Sequence, residues 1–341
     1  MANERIGYID AMRGFTMILV VYAHICNFCF GSSSMGFDEI FFLFRMPCFF
    51  FISGWLFEFN AQSSFWKVTR RKFMVLIVPT FIFLLLLAPP PQFFSELGAV
   101  KGGYWFTFVL FEFFILYMLT SRMFGRWNFI AALVISIGAF IYARYYHSLS
   151  SSGFLPLNVL RTMGFFSVVL WRHYLFFFIG TALCRHFETF LRFSNHYLTV
   201  FVFIIGFIFI SSTHHTTNLL MEYLRFYGGG LLGVLMVFTL FRQFYSTRFR
   251  VLEYVGSRTL DIYLLHYFFL PRFLLPYGTE LRSYGSPLLE FCVAMPVALM
   301  VLVVTLVASY VIRLSPFLEH FLFGVKYKNN CVYGNNQATS S

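Results

Sequence analysis

"IDAMRGFTMILVVYAHICN", residues 9–27, is an apolar stretch with an arginine near its start and a histidine eleven positions later. Eleven steps of about 100° end about 20° past three full turns, so on a helix Arg13 and His24 project from one face, separated by roughly 16 Å of rise. A buried imidazole suits proton transfer, and a guanidinium at the rim suits phosphate. A donor with an anionic head and a long flexible arm, the shape of acyl-CoA, could rest its phosphates at the rim while its reactive end reaches the ring. The structural alternative is a packed histidine and an arginine that snorkels as an anchor. Ionisable groups within a membrane segment are functional candidates by default, and the shared face strengthens that here. Asp10, three residues before Arg13, is expected as the helix N-cap and as an ion-pair partner. Cys26 and Cys29 would project about 160° and about 140° away from His24, so these three cannot converge on a metal. No metal and no permanently bound cofactor are expected.

The elements that must hold these residues are membrane helices. Hydrophobic residues make up 59% of the chain and charged residues 11%, against about 45–50% and about 25% in a soluble domain. A water-exposed surface could not be covered with that composition. Apolar runs recur at about 12–30, 38–58, 73–88, 104–122, 129–146, 173–187, 197–212, 226–243, 258–275 and 288–312. Each is long enough, or nearly so, to cross a hydrocarbon core of about 30 Å. The predicted fold class is all-α: a polytopic integral membrane protein with about ten transmembrane helices, one membrane-embedded domain over 1–328 and a polar C-terminal tail over 329–341. The short connections leave no room for a soluble catalytic domain. Basic residues gather on the side that both termini share, at 67–72 and 242–258 above all, which predicts cytoplasmic termini. The formal charge of +11 then reflects this asymmetry and attraction to anionic membrane lipids; no nucleic-acid partner is expected. The first segment lacks a cleavage site and is expected to stay as a signal anchor. The six cysteines fall mainly inside spans, where a thiol acts as a small apolar group, so no disulfide framework is expected.

Three stretches in order carry a family resemblance. "YIDAMRGFTMILVVYAH" has an arginine, ten intervening residues and a histidine; "FRMPCFFFISGWLF" (44–57) is followed by the basic linker "WKVTRRKF" (66–73) and Pro79; and "LEYVGSRTLDIYLLH" (252–266) ends in tyrosine, two apolar residues and histidine. Together, over about 10–312, they resemble the bacterial acyltransferase family 3 of integral membrane proteins. The resemblance implies a multi-pass protein of the bacterial inner (cytoplasmic) membrane. It implies transfer of an acyl group, most often acetyl from cytoplasmic acetyl-CoA, to a hydroxyl of an extracytoplasmic polysaccharide or lipid-linked sugar. Two departures stand out. Many relatives have histidine where Arg45 stands here. Some carry a further hydrolase-like domain, absent from this sequence, so the chain is expected either to complete the transfer or to hand the acyl group to a separate periplasmic transferase partner.

With that resemblance in hand, His24 is the expected base for the acceptor hydroxyl, or a nucleophile that carries the acyl group itself. Depth nominates Glu112 as its orienting partner: if the fourth span enters from outside near 104, Glu112 lies about 12 Å in, near the level of His24. Arg45, in the outer half of the second span, could hold the acceptor or the developing oxyanion, or else form a buried pair with Glu112. Trp66, Lys67, Arg70, Arg71 and Lys72 are expected to bind the CoA phosphates and adenine, with a positive-inside clamp as the alternative. Tyr263 and His266, one turn apart, are site or structural-network residues by the resemblance. Ser53 and Gly54 are expected to permit close helix packing. The outer loops, with Tyr104, Trp105, Arg144, Tyr145, Tyr146, His147 and His214-His215, have the aromatic and polar mix that a sugar would meet, and aromatic belts at the membrane interface explain most of it equally well. The competing function class is a transporter or flippase of a glycan or lipid, which gives no reason for Arg13 and His24 to share a face.

Overall fold

The computed structural model describes residues 6–59, 64–87, 103–151, 159, 163–194, 197–213, 218–246 and 249–325; the polar tail, Cys331 and His214-His215 lie outside them. Every regular element among the described residues is helical, and the chain is an all-α polytopic membrane protein. Among the described residues, five helical stretches are long and apolar enough to cross a membrane: Gly7–Cys29, Asp38–Glu58, Trp105–Tyr146, Leu219–Phe244 and Pro287–Arg313; Tyr197–Ser211 is a shorter apolar helix. The number ten is not established by that measure. The 42 residues of Trp105–Tyr146 contain two of the expected segments, separated at Gly125, whose φ of +52° breaks the helix before a 3-10 turn through Trp127. The two halves then pack on each other.

Two expected segments take other forms. Tyr174–Arg185 has only 12 helical residues, about 18 Å of rise, which is short of the apolar core. The segment expected at 258–275 is not one helix: Thr259–Leu265 gives way to a 3-10 turn at His266–Phe269 and another at Arg272–Leu274. Pro271 lies between the turns and has no N–H to continue a ladder.

Helix Pro287–Arg313 shows which surface faces lipid. Its buried side carries small residues, among them Ala294, Ala298, Thr305 and Ser309, while Met300, Val303 and Val307 are exposed. Exposed apolar residues around a small-residue seam are what a bilayer selects, because lipid tails give apolar side chains no reason to leave them. A buried ion pair adds to the seam: Arg313 grips both oxygens of Asp261, Nε at 2.7 Å and Nη2 at 2.8 Å, and Ser309 donates to the same carboxylate at 2.5 Å.

The helices that hold Arg13 and His24 cross at glycines. A Cβ on Gly14 would lie 2.0 Å from the Leu252 carbonyl oxygen, and one on Gly256 would lie 1.8 Å from that of Asp10. This locks Gly7–His24 against Arg250–Ser257. The second crossing, between Asp38–Phe59 and Tyr174–Arg185, uses Gly54 and Gly180: added Cβ atoms would be 2.0 Å from the carbonyl oxygens of Phe177 and Phe51 respectively. Nothing at Gly54 can yield, since the obstacle is backbone. Gly54→Val is expected to lower stability by at least the ~1–3 kcal/mol of ordinary overpacking, read as a drop in unfolding temperature in detergent. An unchanged temperature would contradict this crossing.

Candidate active site

Helix Gly7–His24 runs on into a π turn, Ile25–Cys29, a local widening often found at functional sites. His24 stands at the junction. Its Nδ1 is 2.6 Å from Nε2 of His266, with ring centroids 4.8 Å apart and planes 20° from parallel. That separation is shorter than face-to-face contact permits, so the rings meet edge to edge in a hydrogen bond.

The hydrogen-bond chain assigns the protons. Nδ1 of His266 is 2.9 Å from the Ile262 carbonyl, which only accepts, so that nitrogen carries a hydrogen. In a neutral ring Nε2 of His266 is then an acceptor, and Nδ1 of His24 must donate to it. Nε2 of His24 is left with its lone pair. Nearby, 3.4 Å away, is the hydroxyl of Tyr267, whose single hydrogen is shared between this lone pair and the Gly103 carbonyl at 3.2 Å. His266 is fully buried, whereas His24 is half-buried. One ring is therefore support, and the other is accessible.

A single cavity is lined by Arg13, Met17, Val20 and His24 along one helix face, and by Met46, Trp105, Thr107 and Tyr263 opposite. The face predicted from the eleven-residue spacing is real. The cavity is small, with an open volume of ≈ 100 Å³. At its far end Arg13 donates to Thr259 Oγ1 at 2.8 Å and meets Asp10 at 3.4 Å. Asp10 is thus the expected ion-pair partner but not the N-cap: the helix starts three residues earlier, after Ile6. Tyr263 fastens the cavity wall, donating to the Gly103 carbonyl at 3.0 Å and accepting from the Phe106 N–H at 3.1 Å.

The basic linker forms the amphipathic helix Phe65–Lys72. Trp66, Lys67, Arg70 and Arg71 are exposed, and no residue of the linker lines the cavity. Lys72 is the one turned inward: its Nζ lies 3.9 Å from the centre of the Phe114 ring. Lys72 precedes the apolar segment that follows, and burial, then the charges of Arg71 and Arg13, push its ammonium down to about 8. Lys72 thus feels the charge of Arg13 without lining the cavity itself.

Glu112 does not orient His24. Its Oε2 accepts from Trp171 Nε1 at 2.7 Å, and the imidazole's partner is His266. The depth estimate failed because it assumed that the helix begins at the membrane surface. Helix Trp105–Phe124 instead begins beside the ring, where Gly103 bonds Tyr263 and Tyr267, so Glu112 lies about 10 Å farther along. Arg45 likewise does not pair with Glu112; it pairs with Asp38, seven residues back on its own helix. Arg45 and Asp38 line a second, wider cavity of ≈ 680 Å³, together with Asn27 and Arg144. The two cavities flank the same point, since Asn27 is three residues past His24 and Arg45 adjoins Met46. Tyr104, in the turn before helix Trp105–Phe124, is turned inward and offers a sugar nothing: it is buried and donates to the Leu264 carbonyl at 2.7 Å. Thr259, Tyr267 and Asp38 were missed in the sequence. Asp38 had a signal, because seven residues make nearly two turns and put it on the face of Arg45.

The helices thus bring a hydrogen-bonded histidine pair and Arg13 to one cavity, with a second, charged cavity nearby. A family model described as an acyltransferase domain matches residues 6–314, and the chain belongs to that family, acyltransferase family 3. No curated protein and no solved structure matches it.

Proposed function

We propose that the protein takes an acetyl group from cytoplasmic acetyl-CoA and transfers it to a hydroxyl of an extracytoplasmic polysaccharide or lipid-linked sugar. The observation that carries this is the one cavity lined by both Arg13 and His24. Its small open volume suits an acyl-pantetheine arm, while the second, larger cavity has room for a glycan. The donor's phosphates lie at the Arg13 end, where Lys72 and the exposed Arg70 and Arg71 supply further positive charge. That end faces the cytoplasm, in keeping with the basic loops.

The reaction follows from the tautomer. Nε2 of His24 takes the proton from the acceptor hydroxyl as its oxygen attacks the thioester carbonyl and a C–O bond forms. The C–S bond then breaks, the ester leaves on the acceptor, and the CoA thiolate recovers the proton from the imidazolium. Arg45, one residue before Met46 of the cavity wall, offers the tetrahedral oxyanion a guanidinium whose charge Asp38 partly offsets.

Arg13→Ala tests the donor assignment by isothermal titration of the full chain in nanodiscs. Losing hydrogen bonds to a charged group, worth ~1.5–3 kcal/mol, should raise the Kd for acetyl-CoA roughly 10- to 150-fold. Undiminished affinity would remove Arg13 from the donor site. A glycan flux by reconstituted protein without acyl transfer would instead identify a transporter.

A further inference from the structure

We infer that the wide cavity binds an acceptor that carries an oxyanion, with Arg172 and Arg225 as the groups that hold it. This deepens the acyl-transfer reading and rests on it for the word acceptor.

The cavity is lined by four arginines and three carboxylates. Two pairs cancel: Arg45 with Asp38, and Arg144 with Glu222, whose Nε and Oε2 are 2.8 Å apart. Arg172, Arg225 and Glu39 remain, an excess of positive charge. Nε of Arg172 and Nε of Arg225 are both buried and without a hydrogen-bond partner. Arg225 gives an Nη1 hydrogen bond to the Thr213 carbonyl at 2.6 Å, and Arg172 lies over the Phe226 ring at 5.1 Å. Both arginines are half-buried, so their charge is partly stripped of water, and an anion in the cavity they line would offset that cost. Arginine's planar fork matches a carboxylate or phosphate.

The backbone is shaped to present this pair. Arg225 and Phe226 lie on a π turn, Leu224–Gly228, and Arg172 lies on the 3-10 turn Val168–His173. Neither arginine stands on the regular helix face that composition alone would assign to it. The remaining surface is that of a sugar site: Asn27 and Ser33 can bond hydroxyls, and Phe42 and Phe140 offer apolar faces. A cavity of ≈ 680 Å³ is within the range that ligand sites of about 300–1,000 Å³ occupy. The oxyanion is either the carboxylate of an acidic sugar or the phosphate that joins a glycan to its lipid carrier.

The test is saturation-transfer NMR on the full chain in phosphatidylcholine nanodiscs, with methyl glucuronide, glucose 1-phosphate and methyl glucoside as probes. At least one anionic probe should bind ten times more tightly than the neutral one, and which one does so assigns the source of the oxyanion. Arg172→Gln and Arg225→Gln should each reduce that preference at least fivefold. Glu39→Gln, at an exposed position, should raise anion affinity severalfold; this gain keeps the test decisive even if an arginine variant fails to fold. Equal binding of all three probes, or an anion affinity unmoved by Glu39→Gln, overturns the inference. Acetyl-CoA titrated in parallel separates the two readings. A protein that binds acetyl-CoA but ignores charge on the sugar overturns only this inference; one that prefers the anionic sugar but binds no acetyl-CoA supports it and overturns the donor assignment.

Discussion

His24→Ala is expected to cost ~10²–10⁴ in kcat, the range a positioned general base supplies, with the Kd for acetyl-CoA close to that of the unaltered protein. The split follows from position. In the proposed reaction the donor's phosphates are held from Arg13, roughly 16 Å from the ring along the helix, so removing the imidazole leaves the binding groups in place. Alanine also fits the site, since the ring faces the cavity and its loss creates no clash. Labelled acetyl-CoA and a glycan acceptor measure turnover, and titration measures affinity. If kcat is unchanged, the proton goes elsewhere and the histidine pair is structural. If affinity falls as far as turnover, the cavity is a binding site whose chemistry has been misplaced.

What the sequence could show depended on how far apart in the chain the partners lie. Arg13 and His24 share one unbroken helix, so counting residues placed them on one cavity wall. Gly54 was legible as a close-packing site because an exchange of side chain for hydrogen has few other uses inside a membrane segment. The His24–His266 bond joins residues separated by 242 positions; only the crossing of Gly7–His24 with the chain around Gly256 brings them together, and no periodicity encodes that crossing. The Glu112 assignment used rise per residue correctly from a wrong origin. Helix Trp105–Phe124 starts in the interior, and nothing in the apolar run marks where the membrane surface falls. The linker cations were read as one cluster, yet burial singles out Lys72 from the three exposed ones, Lys67, Arg70 and Arg71.

Substitutions at His266 separate positioning from mere packing, and the expected effect is again large. His266→Leu removes the acceptor for His24 Nδ1–H while keeping an apolar side chain in a fully buried place. His24 can then take either tautomer and rotate, so its Nε2 lone pair is no longer reserved for the acceptor hydroxyl. Loss of the orienting partner of a catalytic histidine can cost as much as ~10⁴ in kcat, and a drop of roughly 10³ is expected for this variant, with acetyl-CoA affinity retained. His266→Gln restores an accepting oxygen near the same place and should recover activity to within about tenfold of the unaltered protein. Packing alone would favour neither variant in this way. Leucine and glutamine variants of equal activity, high or low, would show that His266 does not set the tautomer of His24.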